Sequence, residues 1–282
     1  MIKKAYVEIT NACNRSCPFC PGTGRPRRFM SGEEFTLVLD RLRGKVQYLY
    51  LHVMGEPLLH PLLGRFLQMA GEAGFPVNVT TNGTLLGGVS GILLDAPALR
   101  QVSVSLHSLV EGEEGLRCLN EILAFAKDAQ ARGRPLVSLR LWNEGAGERN
   151  PANGWILQRL ERAYGQEALY EAGAGDNRGV RLASGIYLNL ASLFIWPDLA
   201  LPELGERGFC MGLRDQLGIL CDGTVVPCCL DGQGAMPLGN IFTQNIDEIL
   251  SSPRATGIVN GFSRRVAVEE LCRKCGYRQR FD

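Results

Sequence analysis

Apolar and polar residues alternate along the first two thirds of the chain in a way that predicts strands and helices in turn. The clearest helix is 31–43, where apolar residues recur from Phe35 to Leu42 at the i, i+3, i+4, i+7 spacing of one helix face. Ser31 is the predicted N-cap, and Glu34 completes a capping box. The same patterns predict helices over 61–73, 92–99, 113–132 and 155–164, and strands over 5–10, 46–53, 76–81, 100–106, 136–142 and 186–194.

Strands that alternate with helices are typical of parallel sheets with right-handed crossovers. Six such repeats fit an open doubly wound sheet or a partial barrel, and periodicity alone does not decide between them. The carboxyl ends of the strands are where parallel α/β folds bind ligands, so we expect the functional site at that edge. Polar motifs follow the predicted strands there, among them Gly55-Glu56-Pro57, Thr81-Asn82 and Ser105-Leu106-His107.

A linker rich in Pro and Gly, residues 196–208, divides the chain. We therefore predict one domain over 1–195 and a second over 196–282. In the second, the turn sequence Cys221-Asp222-Gly223-Thr224 lies between short apolar runs and predicts a β-hairpin. A short helix is predicted near 245–250.

The composition is that of an ordinary globular protein, with 45% hydrophobic and 21% charged residues and a net charge of +1. This balance is unlike that of a strongly basic nucleic-acid-binding protein, so nucleic acid is not an expected partner. No run approaches the roughly 20 apolar residues that cross a bilayer. The short run behind the basic N terminus carries Glu8, which is unlike a signal peptide. We expect a cytoplasmic protein with no membrane partner.

The ten cysteines cluster in two regions, 13–20 and 210–275, with Cys118 apart. A reducing cytosol disfavours structural disulfides, and clustered thiols there typically bind metal. The first cluster has three thiols, Cys13, Cys17 and Cys20, spaced C-x3-C-x2-C. On a [4Fe–4S] cluster, three thiolates leave one iron open to an external ligand. The alternative is a zinc loop that takes His52 or His60 as its fourth ligand.

The spacing of these cysteines, with Phe19 before the last of them, resembles that of the radical S-adenosylmethionine superfamily. Further motifs of that family occur in order after the next strands: Met54-Gly55-Glu56-Pro57 resembles GGEP with Met54 for the first glycine, and Thr80-Thr81-Asn82-Gly83 and Ser103-Val104-Ser105 follow. The resemblance covers about the first 195 residues and implies a partial (β/α)6 barrel.

The resemblance also implies the chemistry. Cys13, Cys17 and Cys20 would hold a [4Fe–4S] cluster whose open iron binds S-adenosylmethionine. One electron, from a donor such as flavodoxin or ferredoxin, would cleave the sulfonium, and the 5′-deoxyadenosyl radical would abstract hydrogen from the substrate. The residues expected to bind S-adenosylmethionine are Gly55, Glu56, Pro57, Thr81, Asn82, Ser103 and Ser105.

The second cysteine set is similar to an auxiliary-cluster domain of the SPASM or shorter twitch type, with the pattern C-x12-G-x4-C and a final C-x2-C. The resemblance implies one fully ligated [4Fe–4S] cluster in a small domain with a hairpin and a helix. Its expected ligands are Cys210, Cys228, Cys272 and Cys275. Cys221 and Cys229 remain spare. Cys229 is adjacent to Cys228, and adjacent residues of an extended chain point to opposite faces, so the two are not expected to bind one cluster together. A zinc ribbon is the alternative.

Two further residues are candidate catalytic groups. Arg140 is a charge inside an apolar strand, and either the ligand carboxylate, the substrate or a core acid could pair with it. His107 shares an alternating face with Ser103 and Ser105, and a plain hydrogen bond in the core is its alternative role.

Two other features of the sequence are the loop from Arg25 to Arg28 and the isolated Cys118. The loop Arg25 to Arg28 could hold a phosphate or an acidic substrate, or simply be solvated. Cys118, beside the apolar face of helix 113–132 that includes Leu116 and Leu119, is predicted to be a core residue.

We therefore expect a radical enzyme that oxidises or modifies a small molecule or a peptide, with the auxiliary cluster as electron acceptor. The first predicted strand begins at residue 5, which disfavours a peptide-recognition domain in front of it. An RNA-modifying enzyme is a further alternative that rests on the Arg25 loop alone. A non-catalytic interaction protein built around zinc or a cluster is the alternative from a different class.

Overall fold

The computed structural model describes residues 2–145, 148–173, 179–193 and 195–281. Its helices are α1 (Gly32–Leu42), α2 (Leu63–Glu72), α3 (Leu86–Leu94), α4 (Glu113–Arg132), α5 (Gly154–Tyr164), α6 (Leu169–Gly173), α7 (Ile246–Leu250), α8 (Pro253–Ser263) and α9 (Glu270–Arg273). Its strands are β1 (Ile2–Val7), β2 (Val46–Tyr50), β3 (Val77–Thr81), β4 (Leu99–Ser105), β5 (Leu136–Glu144), β6 (Val180–Ala183), β7 (Ile186–Ser192), β8 (Gln216–Ile219), β9 (Thr224–Val226) and β10 (Gly239–Asn240).

The chain forms two compact units. The first contains the described residues of 1–76 and 194–282, and the second contains those of 77–193. The boundary between two domains at the 196–208 linker remains a prediction from the sequence. Compactness groups the C-terminal segment with the first two strands.

The first unit is built on a sheet in the order β10-β9-β8-β1-β2. Strand β1 runs parallel to β2 on one side and to β8 on the other, with Lys4 opposite Gln216. Strands β8 and β9 form the predicted antiparallel hairpin. The hairpin therefore extends the sheet that begins with β1.

Helices α1 and α2 supply the apolar layer of the first unit. The predicted capping box of α1 is present, because Ser31 accepts from the amide of Glu34 while the Glu34 carboxylate accepts from the Ser31 amide. Phe35 and Phe66 are fully buried and stack with ring centres 4.2 Å apart. The apolar stripe that the sequence predicts is thus the face that packs.

The second unit is built on a sheet in the order β3-β4-β5-β7-β6. Its strands β3, β4, β5 and β7 are parallel, and β6 pairs antiparallel to β7 at the edge. The alternation of strand residues leaves Val102 and Val104 buried, while Gln101 and Ser105 are half-buried. Polar side chains from several strands therefore share one face of this sheet.

The mixed α/β class with parallel strands is confirmed. Helix α3 lies at Leu86–Leu94 instead of 92–99, and the short elements β6, β10, α6 and α9 and the helix α8 were not predicted. None of the helices in the described ranges is both long enough and apolar enough to cross a membrane.

Candidate functional site

The first three thiols lie in the irregular segment that follows β1. The amide of Cys20 bonds the Cys17 carbonyl at 3.1 Å, and the amide of Arg15 approaches the Cys13 sulfur at 3.4 Å. Burial raises the pKa of Cys17, Arg15 lowers it, and the thiols of Cys20 and Cys13 raise it. The thiols of Cys13 and Cys20 therefore lie near that of Cys17.

The Gly55-Glu56 turn packs directly against the segment that leads into this loop. Gly55 has φ +77°, and a β-carbon there would lie 2.4 Å from the carbonyl oxygen of Thr10 and 2.8 Å from that of Ala12. The amide of Glu56 donates to the Ala12 carbonyl at 2.8 Å. Only glycine fits such a position. Two motifs that lie more than 40 residues apart in the sequence therefore meet backbone to backbone.

Glu56 and Pro57 begin a short helical turn after this contact. The Glu56 carboxylate is buried and accepts from the Leu58 amide at 3.0 Å, so it shapes its own turn. Pro57 occupies the first position of that turn, where a missing N–H costs nothing. The side chains hold the loop, and the backbone of Gly55 is left beside the cysteine segment.

The second set of thiols converges on one cavity in the first unit. The cavity has a volume of ≈ 410 Å³ including its opening. Its walls include all four predicted ligands, Cys210, Cys228, Cys272 and Cys275. Burial raises the pKa of Cys228 well above its usual value, and Cys229, Cys210 and Cys272 raise it further. Four half-buried thiols that line one cavity are a soft donor set that suits an iron–sulfur cluster.

The choice between the adjacent Cys228 and Cys229 follows from their neighbours. Cys228 lines the cavity. The Cys229 sulfur interacts instead with the hydroxyl of Tyr6 on β1, a contact that lowers the Cys229 pKa, whereas burial raises it to about 11. The side chains of Cys228 and Cys229 thus lie in different surroundings, as expected for adjacent residues of an extended chain.

Arg278 lines the same cavity and was not predicted. It is buried, and its guanidinium donates to the carbonyls of Arg207 and Gly205. Its Nε, however, has no hydrogen-bond partner among the described residues. A buried cation with a donor to spare fits an anionic cluster of thiolates and iron. A cationic residue three positions after a C-x2-C pair is the signal in the sequence that could have identified Arg278.

The predicted zinc alternative needs a histidine, and His60 is already committed. Its Nε2 is 3.0 Å from the Met30 carbonyl, and its Nδ1 accepts from the Leu62 amide at 3.1 Å. His52 lies edge-on to the Tyr6 ring. Within the described ranges, no group of three or more His, Cys, Asp or Glu side chains is spaced to hold a single metal ion.

In the second unit, two of the predicted ligand-binding residues stabilise their own turn. The Thr81 hydroxyl accepts from the Gly83 amide at 2.9 Å, and Asn82 accepts from the Thr84 amide at 3.0 Å. Gly83 has φ +82°, and a β-carbon there would lie 2.8 Å from side-chain carbons of Ile122 and Val104. Hydrogen bonds within the turn and close packing at Gly83 therefore stabilise this turn after β3. The binding of a ligand by Thr81 and Asn82 remains a prediction.

Ser103 and Ser105 lie on β4, and Arg140 lies on the neighbouring strand β5. Ser103 pairs with Ser138, and Ser105 pairs with Arg140, in the register of β4 and β5. Arg140 is half-buried, not fully buried as the sequence suggested, and its guanidinium lies over the Trp142 ring at 4.5 Å. A cavity of ≈ 720 Å³ including its opening lies here, lined by Gln101, Leu136, Val137, Ser138, Arg140, Trp142, Tyr187 and Asn189.

His107 is not on the strand face that alternation predicted, because β4 ends at Ser105 and His107 lies in the short turn behind it. Its Nδ1 is 3.2 Å from the Arg140 carbonyl and 3.3 Å from the Trp142 amide. Burial lowers its pKa, so the neutral ring is favoured. His107 is thus positioned to fix the backbone of β5 at Arg140.

In the loop from Arg25 to Arg28, Arg25 and Arg28 are paired with carboxylates, while Arg27 is exposed. Arg25 forms a buried ion pair with Glu8, and Arg28 pairs with Glu34 and donates to the Cys221 carbonyl. The hypothesis of an RNA-modifying enzyme rested on these side chains as free cations. The sequence analysis did not predict this pairing, and Glu8, a charge within an apolar strand run, is the signal that could have indicated it.

Two family models match the chain. Residues 7–139 match the model described as the radical SAM superfamily. Residues 210–276 match SPASM, described as an iron–sulfur cluster-binding domain. The first match ends inside β5, and the second contains all four thiols of the cavity.

Two curated proteins share sequence with part of the chain. A probable GTP 3′,8-cyclase of Metallosphaera sedula is 29% identical over 141 residues, which are 47% of this chain and 44% of that protein. The tungsten-containing aldehyde ferredoxin oxidoreductase cofactor-modifying protein of Pyrococcus furiosus is 34% identical over 92 residues, 30% of this chain and 25% of that protein. The chain thus spans less than half the length of either relative.

Several solved structures share the fold. BtrN in complex with AdoMet and 2-DOIA has a TM-score of 0.55 at 18% identity, covering 98% of this chain and 93% of that one. SuiB of Streptococcus suis bound to precursor peptide SuiA has a TM-score of 0.61 at 13% identity, covering 99% and 72%. AnSMEcpe with bound AdoMet has a TM-score of 0.59 at 13% identity, covering 98% and 87%. These likenesses confirm the predicted fold class.

Proposed function

The chain belongs to the radical S-adenosylmethionine superfamily and carries a SPASM iron–sulfur domain, and from this premise we propose that it oxidises or modifies an organic substrate by hydrogen abstraction. Membership implies a four-iron cluster that binds S-adenosylmethionine and an auxiliary iron–sulfur site. We assign the first to Cys13, Cys17 and Cys20, and the second to Cys210, Cys228, Cys272 and Cys275.

One observation carries the assignment of the first site: the Gly55 backbone packs within contact distance of the segment that leads into Cys13. A cluster and S-adenosylmethionine bound there would supply the one-electron chemistry that hydrogen abstraction needs. The residues of the chain have simpler tasks. The thiolates hold the iron, and the backbone around Gly55 offers carbonyl acceptors to the methionine amino group.

Arg140 and its neighbours are the proposed substrate end. The guanidinium supplies a fixed positive charge for a carboxylate, either that of S-adenosylmethionine or that of the substrate. Around it the cavity offers amide and hydroxyl groups from Gln101, Ser138 and Asn189. The side chain of Asn189 donates to the Ser138 hydroxyl at 2.9 Å, which fixes both groups before a ligand binds. The space that water-sized groups can reach inside it is ≈ 340 Å³, which lies within the range of small-molecule pockets, about 300–1,000 Å³.

We favour a small polar substrate because these groups are neutral hydrogen-bonding partners around a single cation. A peptide substrate is the second candidate. It is supported by the shared fold with SuiB, whose structure contains a precursor peptide. The cyclase relative adds a nucleotide as a third substrate class, through a match to under half of its length.

The central experiment measures 5′-deoxyadenosine after anaerobic reduction of the purified protein with S-adenosylmethionine. Wild type should form it, and Cys13→Ala, Cys17→Ala and Cys20→Ala should each reduce it to background. Cys118→Ala is the matched control, since Cys118 is buried in the core on α4. Cleavage that persists in Cys13→Ala would show that the first site is assigned wrongly.

The substrate end is tested separately. Asn189→Leu removes one hydrogen-bonding group and its bond to Ser138, but leaves every thiol in place. We expect it to cleave S-adenosylmethionine as wild type does, and to lose the thermal stabilisation that a hit from a polar-metabolite screen gives wild type. Equal stabilisation of both proteins by every hit would contradict the placement of the substrate in this cavity.

A further inference from the structure

The buried carboxylate of Glu8 collects donors from three distant segments of the first unit. Glu8 is fully buried at the end of the β1 region. Both of its oxygens lie 2.7 Å from Nη2 of Arg25. The amide of Met54 donates to it at 3.0 Å, and that of Cys221 at 3.2 Å. One side chain thus joins the segment behind the first thiols, the segment before Gly55, and the hairpin of the second thiol set.

Arg25 extends this junction toward the second thiol set. Its Nε donates to the Gly232 carbonyl at 3.0 Å, four residues after Cys228. An arginine in this position uses the planar spacing of its donors, which a lysine lacks. Removing one partner of a buried ion pair leaves the other charge without compensation, so the pair acts as a unit.

Gln233 adds a second set of bonds to the same loop. Its Nε2 donates to the Gly22 carbonyl at 3.0 Å. Its Oε1 accepts from the Thr23 hydroxyl and from the Gly24 amide, both at 3.2 Å. The side chain is exposed, so its replacement leaves the core untouched. Three bonds from one amide hold the segment immediately after Cys20.

Met54 gives the same neighbourhood an apolar contact. A β-carbon on Gly232 would lie 2.5 Å from the terminal carbon of Met54 and 2.9 Å from its Cγ. Met54 therefore packs on bare backbone of the segment that follows Cys228. This contact accounts for a methionine where the family motif has its first glycine: the side chain is directed at Gly232.

We propose that Glu8, Arg25, Gly232 and Gln233 form a clamp by which the second thiol segment positions the first thiol loop and the Gly55 turn. The clamp residues are positioning residues, since none of them is an assigned ligand. Their effect on S-adenosylmethionine rests on the proposed function. Their effect on the loop does not.

The test uses two variants of the reconstituted full chain. Gln233→Ala removes the three exposed bonds, and Arg25→Lys keeps the charge but loses the Nε bond to Gly232. Gln166→Ala is the matched control, because Gln166 also donates to two carbonyls, those of Arg181 and Leu182, but in the second unit. The readouts are amide hydrogen exchange of peptides covering 20–28, iron content, and the dissociation constant of S-adenosylmethionine.

We expect each clamp variant to exchange roughly tenfold faster over 20–28 and to bind S-adenosylmethionine several-fold more weakly, as the loss of a few hydrogen bonds implies. Iron content and the control variant should match wild type. Unchanged exchange in both clamp variants would overturn the proposal, and so would faster exchange with unchanged affinity. If wild type binds no S-adenosylmethionine, the proposed function fails, and the exchange rates alone decide whether the clamp exists.

Discussion

His60 illustrates how much one residue can do away from the proposed chemistry. Burial lowers its pKa, and the hydrogen bond to the Met30 carbonyl opposes that shift. Both ring nitrogens already serve the fold, and the ring packs on Phe66 with centres 4.6 Å apart. His60 was a candidate zinc ligand in the sequence analysis, but its partners in the structure are a carbonyl, an amide and an aromatic ring.

This residue predicts a pH dependence of stability. In the unfolded chain His60 takes up a proton near pH 6.5, while in the folded chain it does so only at lower pH. The unfolded state therefore binds more protons, and the free energy of unfolding should fall as the pH drops from about 7.5 to 5.5.

Denaturant unfolding at those two pH values measures the effect in wild type and in His60→Gln. The variant should lose less stability between them, because its side chain does not titrate. His107 has a pKa shifted in the same direction and remains in both proteins, so part of the slope should persist. Equal pH dependence in the two proteins would contradict the assignment to His60.

At the scale of the residue, sequence reasoning identified groups better than partners. The thiols that share the cavity were named from the resemblance of their pattern to an auxiliary-cluster domain, since cysteine patterns reflect the chemistry of the ligand. The pairing of Glu8 with Arg25 was missed, because the two charges lie 17 residues apart and only the folded loop brings them together. Arg278 was missed because the carbonyls that it bonds, those of Arg207 and Gly205, lie 71 and 73 residues earlier in the sequence.

The N terminus of α1 shows what a local signal determines. The Ser31 hydroxyl accepts from the Glu34 amide at 3.2 Å, and the Glu34 carboxylate accepts from the Ser31 amide at 2.8 Å. Arg28 adds an ion pair to Glu34. The cap therefore links the loop behind the first thiols to the helix that follows it.

Ser31→Ala should lower the free energy of unfolding by about 0.5–2 kcal/mol, the usual cost of losing such a cap. Ser31→Asp is the matched variant, since aspartate accepts the same bond and should unfold close to wild type. Urea titration of both proteins makes the comparison. A wild-type midpoint for Ser31→Ala would show that the cap contributes nothing.

At the scale of the element, local signals predicted α1 and α4 well. Helix α4 spans Glu113–Arg132 as predicted, and Cys118 is buried on it. Its face was predicted less well, because Leu116 is 44% exposed. Strand β6 was missed since it is a short antiparallel edge, whose formation depends on β7 beside it. Pairing between distant strands, such as β1 with β8, has no local signal.

For the molecule as a whole, the two thiol sets predict its iron content. Two four-iron clusters would give about eight iron atoms per chain. Cys228→Ser should retain about four iron atoms and Cys229→Ser about eight, because Cys228 lines the cavity and the adjacent Cys229 does not. Iron analysis of anaerobically prepared protein measures this. Loss of iron in Cys229→Ser with none in Cys228→Ser would reverse the assignment.

The first unit is assembled from both ends of the chain, and this has a consequence for synthesis. The partner amide of Glu8, on Cys221, is synthesised 213 residues after Glu8 itself. At about 5–20 residues per second, the wait is on the order of 10–40 seconds. Throughout that interval the nascent segment around Cys13, Cys17 and Cys20 lacks its neighbours from the C-terminal segment. The first thiol loop therefore gains the contacts described above only after the segment around Cys221 has been synthesised.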